Sequence, residues 1–184
     1  FNVGFVYRAA NFDPDAFGQR IDEASRLMDI IDAYPEFAQY TWTSWEDGGG
    51  PVPAINYEQN GGGNSGVIDA DVAIPDPGLP GLGTAYKDHF AMRARGFMVV
   101  PEAGDYLVGV SSDDGERLWV CGQVVTEFRG GRGDAENWTG ADLALLHFEE
   151  PGIYPIQLDW CEGGGGAACD LFEVLDFDTD NPTA

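Results

Sequence analysis

The stretch of sequence that decides the fold is GDYLVGVSSDDGERLWV, residues 104–120. Apolar residues on both sides of an Asp-Asp-Gly turn predict a strand, an acidic corner and a second strand. Asp113 and Asp114 place two carboxylates at that corner, and Ca²⁺ takes about six to eight oxygen ligands of this kind. The corner is therefore a candidate Ca²⁺ site, and an ion with one open face can also bind the hydroxyl groups of a ligand.

Strand patterns, each bounded by turn residues, occur within this stretch and on both sides of it. They are Phe1–Ala9, His89–Val100, Gly104–Ser111, Arg117–Glu127, Asp142–Phe148, Gly152–Trp160 and Leu171–Phe177. Short strands at regular spacing are typical of a β-sandwich or barrel. The predicted fold class is therefore all-β.

The N-terminal half departs from this pattern in two places. Residues Asp15–Ala33 have apolar side chains at helical spacing, which predicts one N-terminal helix. Its charged side chains, which include Asp22 and Asp29, are predicted to form a solvated face. Residues 46–83 are dense in glycine, proline, asparagine and aspartate, which predicts long loops with a short strand within Val67–Ile74.

Length and composition indicate one acidic domain. The 184 residues suit a single hydrophobic core. Nine Lys+Arg against 32 Asp+Glu give a formal net charge of −23, which would repel nucleic acid and anionic membranes. Nucleic acid is therefore not expected as a partner. The same acidity is typical of calcium-loaded, salt-adapted or simply very soluble proteins, and composition does not separate these explanations.

The ends of the chain favour a piece of a longer protein. Residues 1–177 are interpreted as one domain, and residues 178–184, which lack apolar periodicity, as the start of a linker. Because the chain starts at Phe1 rather than at Met, we expect it to belong to a multidomain protein. No apolar run reaches the ~18 residues that a membrane helix needs, so membrane insertion is not expected.

The three cysteines are Cys121, Cys161 and Cys169. The last two flank a short glycine-rich segment whose ends must lie close together, which predicts a Cys161–Cys169 disulfide. A disulfide indicates an oxidising compartment, so an extracellular or cell-surface location is expected. Cys121 is predicted to be a buried thiol.

Motifs for catalysis are weak, so we favour a protein that is not an enzyme. His89 and His147 belong to no nucleophile or zinc motif, and the sequence has no phosphate-binding loop. Because the chain is so acidic, some carboxylate pairs lie at glycosidase spacing by chance, and a glycosidase is the alternative. Arg132-Gly133-Asp134 spells an adhesion tripeptide that this composition is expected to produce by chance. Trp138, in the same loop, is a candidate to stack on a sugar ring.

Three segments in a fixed order carry a family resemblance. They are GFMVVPEAGDY at 96–106, SDDGERLWVCG at 112–122 and PGIYPIQLDW at 151–160. Together they resemble the protective-antigen (PA14) domain family, found in adhesins, glycosidases, toxins and proteases, over about residues 85–177. The resemblance implies a PA14-type β-sandwich or barrel with functional loops at one end. The N-terminal helix and the long Gly/Pro-rich loops are additions to that pattern.

The calcium-dependent lectin branch of this family, as in flocculins and bacterial biofilm adhesins, implies a metal site. In that branch a cis peptide joins two adjacent aspartates that bind Ca²⁺, and Asp113 and Asp114 match them. A loop after the late strand supplies one side-chain oxygen and two backbone carbonyls, which match Glu162, Gly164 and Gly166. The branch often has Asn or Gln where this chain has Glu162. The added negative charge implies tighter Ca²⁺ binding and a weaker pull of the metal on a neutral sugar.

The function implied by the resemblance is Ca²⁺-dependent binding of glycans through vicinal hydroxyl groups. Asp113, Asp114 and Glu162 would contact the sugar as well as the metal, with Gly165 and Trp138 as further sugar contacts. Ca²⁺ is the implied cofactor, and cell-surface carbohydrates are the implied partners. Two alternatives stay open: a PA14 module whose Ca²⁺ is purely structural, and an accessory carbohydrate-binding domain of a secreted glycosidase.

Overall fold

A computed structural model describes residues 6–11, 20–34, 41–43, 54–58, 66–67, 72–73, 90–135 and 137–178. Within these ranges the chain forms eleven strands and one α-helix, α1, at Ile21–Ala33. The strands are β1 (Val6–Asn11), β2 (Thr41–Thr43), β3 (Asn56–Glu58), β4 (Val72–Ala73), β5 (Phe90–Val100), β6 (Gly104–Asp113), β7 (Gly115–Val120), β8 (Gln123–Phe128), β9 (Asp142–Phe148), β10 (Gly152–Glu162) and β11 (Ala168–Val174). In the described part of the chain, no helix is long and apolar enough to cross a membrane.

The strands form two sheets that pack face to face. Sheet one has the order β2-β1-β5-β10-β7-β8, and sheet two has the order β4-β3-β11-β6-β9. Neighbouring strands are antiparallel except for β3 and β4, which are parallel. Leu118, Leu158 and Trp160 of sheet one pack in one core with Val108 and Val110 of sheet two, and all five are fully buried. Burying each such side chain stabilises the fold by about 1.5–3 kcal/mol. The all-β sandwich predicted from the strand pattern is confirmed.

The predicted strand bounds are confirmed in most places. β9 has the predicted bounds, and β6 and β10 each extend two residues beyond theirs, to Asp113 and Glu162. β11 begins earlier than predicted, at Ala168. In the N-terminal part, β1 overlaps the predicted opening strand and β4 lies within the predicted Val67–Ile74. Most of residues 46–83 lies outside the described residues.

The single strand predicted over Arg117–Glu127 is wrong, because the segment is a hairpin of β7 and β8. Cys121 and Gly122 form the turn with φ values of +52° and +77°. Two successive residues with positive φ are what a two-residue type I′ hairpin turn requires. Cys121 is exposed at this turn, so its prediction as a buried thiol is also wrong.

Helix α1 packs its apolar face against the outer surface of sheet one. Ile21 and Met28 form a small core there with Ala91 and Cys161. The predicted helix Asp15–Ala33 is confirmed for its last 13 residues, but Arg20 has an extended backbone and caps the helix rather than belonging to it. Residues 15–19 lie outside the described part of the chain. This packing leaves the core between the sheets independent of the helix.

The charged face of the helix is solvent-exposed at Asp29, as predicted, but two of its aspartates also pair with arginines of the sheet beneath. Asp29 accepts a hydrogen bond from Arg93 at 2.8 Å, and Asp22 accepts one from Arg117. Arg93 also binds both carboxylate oxygens of Asp159 across β5 and β10, at 2.7 and 2.6 Å. Arg93 and Asp159 are 3% and 0% exposed. The helix is therefore joined to the sheet by an ion-pair network whose central pair, Arg93 and Asp159, is buried.

Candidate metal centre

Two connections between the sheets lie side by side at one end of the sandwich. β6 of sheet two leads directly into β7 of sheet one, and β10 of sheet one leads through residues 163–167 into β11 of sheet two. Because β7 pairs with β10 and β6 pairs with β11, Gly115 lies opposite Cys161 and Asp113 lies opposite Ala168. Strand pairing therefore brings the Asp113-Asp114 corner against the loop that follows Glu162.

Three carboxylates meet where these connections touch. Oxygens of Asp113, Asp114 and Glu162 lie within 4.8 Å of one another. The peptide bond between Asp113 and Asp114 is cis. Asp114 and Glu162 are 5% and 0% exposed, whereas Asp113 is partly exposed. The group is therefore reached from solvent on the Asp113 side.

Hydrogen bonds from the backbone orient the carboxylates. Oδ2 of Asp114 accepts the N–H of Gly163 at 2.8 Å, and its Oδ1 accepts the N–H of Arg132 at 2.9 Å. Oε1 of Glu162 accepts the N–H of Gly164 at 2.5 Å. Each carboxylate oxygen has about two lone-pair sites, so one such bond leaves room for a cation.

The glycine loop lies beside these carboxylates. Gly164 and Gly165 have φ values of +155° and +116°, which glycine adopts without strain. A Cβ placed on Gly166 would lie 3.4 Å from Oδ2 of Asp113, so the Gly166 backbone passes close to that carboxylate. Gly164, Gly165 and Gly166 are exposed. The structure thus brings into one region the ligands expected from sequence: Asp113, Asp114, Glu162, Gly164 and Gly166.

The crowding of negative charge is evident in the pKa of Asp113. Burial, followed by the neighbouring carboxylates of Asp114 and Asp134, raises that pKa to about 6, while Arg132 partly opposes the shift. A divalent cation would relieve this repulsion. Within the described part of the chain, the side chains of this group are all carboxylates and offer only oxygen ligands. Oxygen donors suit a hard cation such as Ca²⁺ better than zinc or copper.

A third loop, described at residues 129–135 and 137–141, reaches the same corner. From the sequence, Trp138 of this loop was expected to contact sugar, but contacts of Arg132 and Asp134 with the corner were not expected. The loop leads from β8 of sheet one to β9 of sheet two. Arg132 of this loop donates to Asp114 and Ser112, and Asp134 is close enough to raise the pKa of Asp113. Trp138 lies further along, half-buried in a short 3-10 turn. Recognising the Cys121-Gly122 hairpin would have revealed that this loop also returns to the acidic corner.

The predicted Cys161–Cys169 disulfide is absent from the structure, in which both residues are free thiols. The two side chains point into different layers. Cys161 packs beneath helix α1, whereas Cys169 belongs to the core between the sheets. Burial raises the pKa of Cys161 to about 12 and that of Cys169 well above its usual value. The glycine loop is therefore held in place by strand pairing rather than by a disulfide. The extracellular or cell-surface location was expected because of that disulfide, and the structure does not support this argument.

Together, the fold and the site define a β-sandwich domain with an acidic centre built on adjacent connections between its sheets. The family model of the PA14 domain matches residues 78–169, which is half of the chain. The chain belongs to the PA14 domain family, and the resemblance found in the sequence is confirmed.

Solved structures with a similar fold come from several kinds of protein. The PA14 domain of the MpAFP antifreeze protein is 17% identical with a TM-score of 0.56, over 97% of this chain and 86% of that one. The epithelial adhesin 6 A domain from Candida glabrata, solved in complex with Galb1-3GlcNAc, is 14% identical with a TM-score of 0.53, over 96% and 81%. An anti-sigma factor domain-containing protein is 15% identical with a TM-score of 0.58.

These similarities differ in extent. The match to the anti-sigma factor domain-containing protein includes 95% of this chain but only 43% of the length of that protein. Comparison with curated protein sequences finds no match. At these identities the solved structures establish the fold and leave ligand and activity to be inferred from the residues of this chain.

Proposed function

We propose that the protein is a Ca²⁺-dependent carbohydrate-binding domain. Asp113, Asp114 and Glu162 would hold Ca²⁺ through their carboxylates, with the backbone carbonyls of Gly164 and Gly166 as further ligands. When bound, Ca²⁺ would supply coordination positions that the vicinal hydroxyl groups of a sugar can occupy.

One observation carries this proposal. Carboxylates from two different connections converge within 4.8 Å at the end of the sandwich, beside an exposed glycine loop. Three negative charges this close repel one another unless a cation is present. Burial, followed by repulsion from Asp114 and Asp134, raises the pKa of Asp113. A site built only to brace the corner would not need three ionisable groups.

Carbohydrate as the ligand is supported by the open side of the site and by the family. The exposed Gly164–Gly166 segment and the partly exposed Asp113 border the same opening. A similar fold in the epithelial adhesin 6 A domain was solved with Galb1-3GlcNAc bound. Gly165 and Trp138 are the further residues proposed to contact sugar. A shallow site of this kind binds each sugar weakly, and adhesins gain strength from many copies.

Three broader features belong to the same proposal. The domain would bind sugar without catalysing its hydrolysis, because the carboxylates are assigned to the metal rather than to an acid–base pair. It would act outside the cell or on its surface, where free Ca²⁺ is in the millimolar range that extracellular calcium modules use. It would also be one module of a longer protein.

The test is a glycan array probed in millimolar Ca²⁺ and again in excess chelator, with calorimetry of Ca²⁺ binding alone. We expect a saturable Ca²⁺ site and glycan signals that disappear with chelator. Asp113→Asn is the matched negative control, because it keeps the shape of the side chain and removes the charge. Absence of any chelator-sensitive signal on neutral sugars would rule out the lectin function.

A purely structural Ca²⁺ site is the second candidate, because Asp114 and Glu162 are 5% and 0% exposed. An ion held mainly by these two side chains would be largely enclosed by protein. The same experiments separate the two functions. A structural site predicts that chelator lowers the midpoint of thermal unfolding and that the array stays blank in Ca²⁺.

A further inference from the structure

The Arg132-Gly133-Asp134 tripeptide does not present its arginine to solvent. The side chain of Arg132 is 18% exposed and its guanidinium lies over the ring of Phe128, 4.0 Å from the ring centroid. An adhesion motif needs an arginine that a partner protein can reach. The geometry instead directs this side chain into the acidic corner.

Arg132 contacts the corner through both its side chain and its backbone. Its Nε donates to the Ser112 carbonyl at 3.0 Å, and its Nη2 donates to Ser112 Oγ at 2.9 Å. Nη2 also forms an ion pair with Asp142 at 2.5 Å. The backbone N–H of the same residue donates to Oδ1 of Asp114 at 2.9 Å. The guanidinium thus fixes the position of the N–H that orients Asp114.

Ser112 completes this arrangement on the other side of the cis peptide bond. Its Oγ donates to the carbonyl of Asp114 at 2.7 Å. Arg132 therefore holds the residue before the aspartate pair and the carboxylate at its end. With Gly163 bonded to the other oxygen of Asp114, both oxygens of this carboxylate are positioned by neighbouring loops.

We propose that Arg132 is a positioning residue for the metal centre, acting through Asp114 rather than by contact with the ion. This inference rests on the proposed Ca²⁺ function. Planarity is essential to the role, since the guanidinium must stack on Phe128 and bond to Ser112 and Asp142 at once. A lysine would keep the charge but could not make this set of contacts.

The charge of Arg132 and its positioning role predict opposite changes in Ca²⁺ affinity when the residue is replaced, so the two roles can be distinguished. As a nearby positive charge, Arg132 repels Ca²⁺, and removing it should strengthen binding. As a positioning residue, its loss should weaken binding. Residues that orient metal ligands typically change metal affinity by about 10–100-fold when they are altered.

The experiment compares Arg132→Lys and Arg132→Gln with the wild-type chain. Calorimetry with Ca²⁺ measures affinity, and Tb³⁺ emission sensitised by tryptophan reports occupancy at the corner, where the Trp160 indole donates to Asp113. We expect both variants to bind Ca²⁺ at least about tenfold more weakly than wild type. Arg129→Lys and Arg129→Gln are matched controls, since Arg129 is 62% exposed and pairs with Glu127.

The unfolding midpoint in chelator separates this role from a loss of folding. Asp142→Asn is the second variant, because it loosens the guanidinium while Arg132 stays in place, and we expect a smaller loss of Ca²⁺ affinity. If Arg132→Lys binds like wild type, or if Arg132→Gln binds more tightly, positioning by Arg132 is wrong while the Ca²⁺ site stands. If wild type itself binds no Ca²⁺, both proposals are wrong.

Discussion

The molecule contains two groups of buried carboxylates that differ in their partners. Beneath helix α1, Asp159 is matched by the two-pronged guanidinium of Arg93. At the corner, Asp113 and Asp114 lie against Glu162. Burial and repulsion from neighbouring carboxylates outweigh the positive charge of Arg132 and raise the pKa of Asp113. The first group is neutralised within the protein, whereas the second is left with excess negative charge.

This difference separates a structural group from a candidate binding site. A buried carboxylate costs free energy unless it is paired or hydrogen-bonded. Arg93 and Asp159 meet that requirement inside the folded chain. The corner does so only in part, and a bound cation would complete it. Composition showed a net charge of −23 but could not show which acids are paired.

The largest effect is expected at the paired group. Arg93→Met leaves Asp159 buried without its guanidinium, and we expect a loss of about 3–5 kcal/mol in the free energy of unfolding. Denaturant unfolding measures this loss. Ca²⁺ affinity should stay within about twofold of wild type, because the two groups are separate. The exposed Arg95 is the control, and Arg95→Met should cost less than about 1 kcal/mol.

The double variant Arg93→Met/Asp159→Leu tests the reason for that loss. Replacing both members of a buried ion pair by apolar residues is often neutral or stabilising. The double variant should therefore recover much of the stability lost in Arg93→Met. If it is less stable still, the helix depends on these charges in another way.

Substitutions at the corner should reduce Ca²⁺ affinity, whereas those at the paired group should reduce stability. Asp113→Asn and Asp114→Asn each remove a charged ligand, so we expect Ca²⁺ affinity to fall by about 100-fold or more and sugar binding to be lost with it. Calorimetry and the glycan array measure these changes. For Asp113→Asn, the free energy of unfolding in chelator should not fall, since neutralising one acid relieves repulsion. Asp114→Asn also loses one of the two acceptors for the N–H groups of Gly163 and Arg132, so its unfolding free energy should fall. Chelator-sensitive sugar binding by both variants would contradict the assignment.

Glu162→Gln should have an intermediate effect. The variant keeps a side-chain oxygen and removes the third negative charge, so we expect Ca²⁺ affinity to fall by about tenfold. At saturating Ca²⁺, sugar affinity should be retained or increased, because fewer negative charges compete for the metal. Titrating sugar at several Ca²⁺ concentrations separates the two affinities. A parallel loss of both would show that Glu162 contacts the sugar in a way that glutamine cannot replace.

The smallest effect is expected from acid at the helix interface. Burial of Asp32 raises its pKa, but hydrogen bonds and charge from Arg95 and Arg93 outweigh burial, so the pKa lies below 3.8. A carboxyl with a depressed pKa stabilises the fold above its unfolded-state pKa, and this contribution disappears as the pH falls through the folded-state value. Asp32→Asn should therefore be less stable than wild type at pH 6 by under about 1 kcal/mol. The difference should begin to shrink near the unfolded-state pKa of about 3.9. It should vanish only below the lowered pKa of Asp32 in the folded state, as measured by denaturant unfolding of the Ca²⁺-free proteins.

Much of the fold was predictable because β-strands carry a local signal. The bounds of β9 and most of β10 follow from apolar residues and flanking turns. The Cys121-Gly122 turn was missed because cysteine rarely occupies a left-handed turn position, so the hairpin looked like one long strand. That error also hid the contact between Arg132 and the acidic corner.

The candidate site was predictable in part for a different reason. Asp113 and Asp114 are adjacent in sequence, and Glu162 came from the family resemblance rather than from spacing. The ion pair of Arg93 and Asp159 joins residues far apart in sequence and leaves no local pattern. The disulfide prediction failed because closeness along the chain does not place Cys161 and Cys169 in the same layer.

The exposed thiol of Cys121 offers a site for chemical attachment at the end of β7 opposite the glycine loop. Cys121 is exposed, whereas Cys161 and Cys169 are buried and their thiols have raised pKa values. A thiol-directed reagent should therefore modify one position of the native protein. Since β7 separates that position from the corner by six residues, the attachment point lies about 20 Å away. Beads or sensor surfaces coupled through Cys121 would display every copy with its acidic corner facing outward.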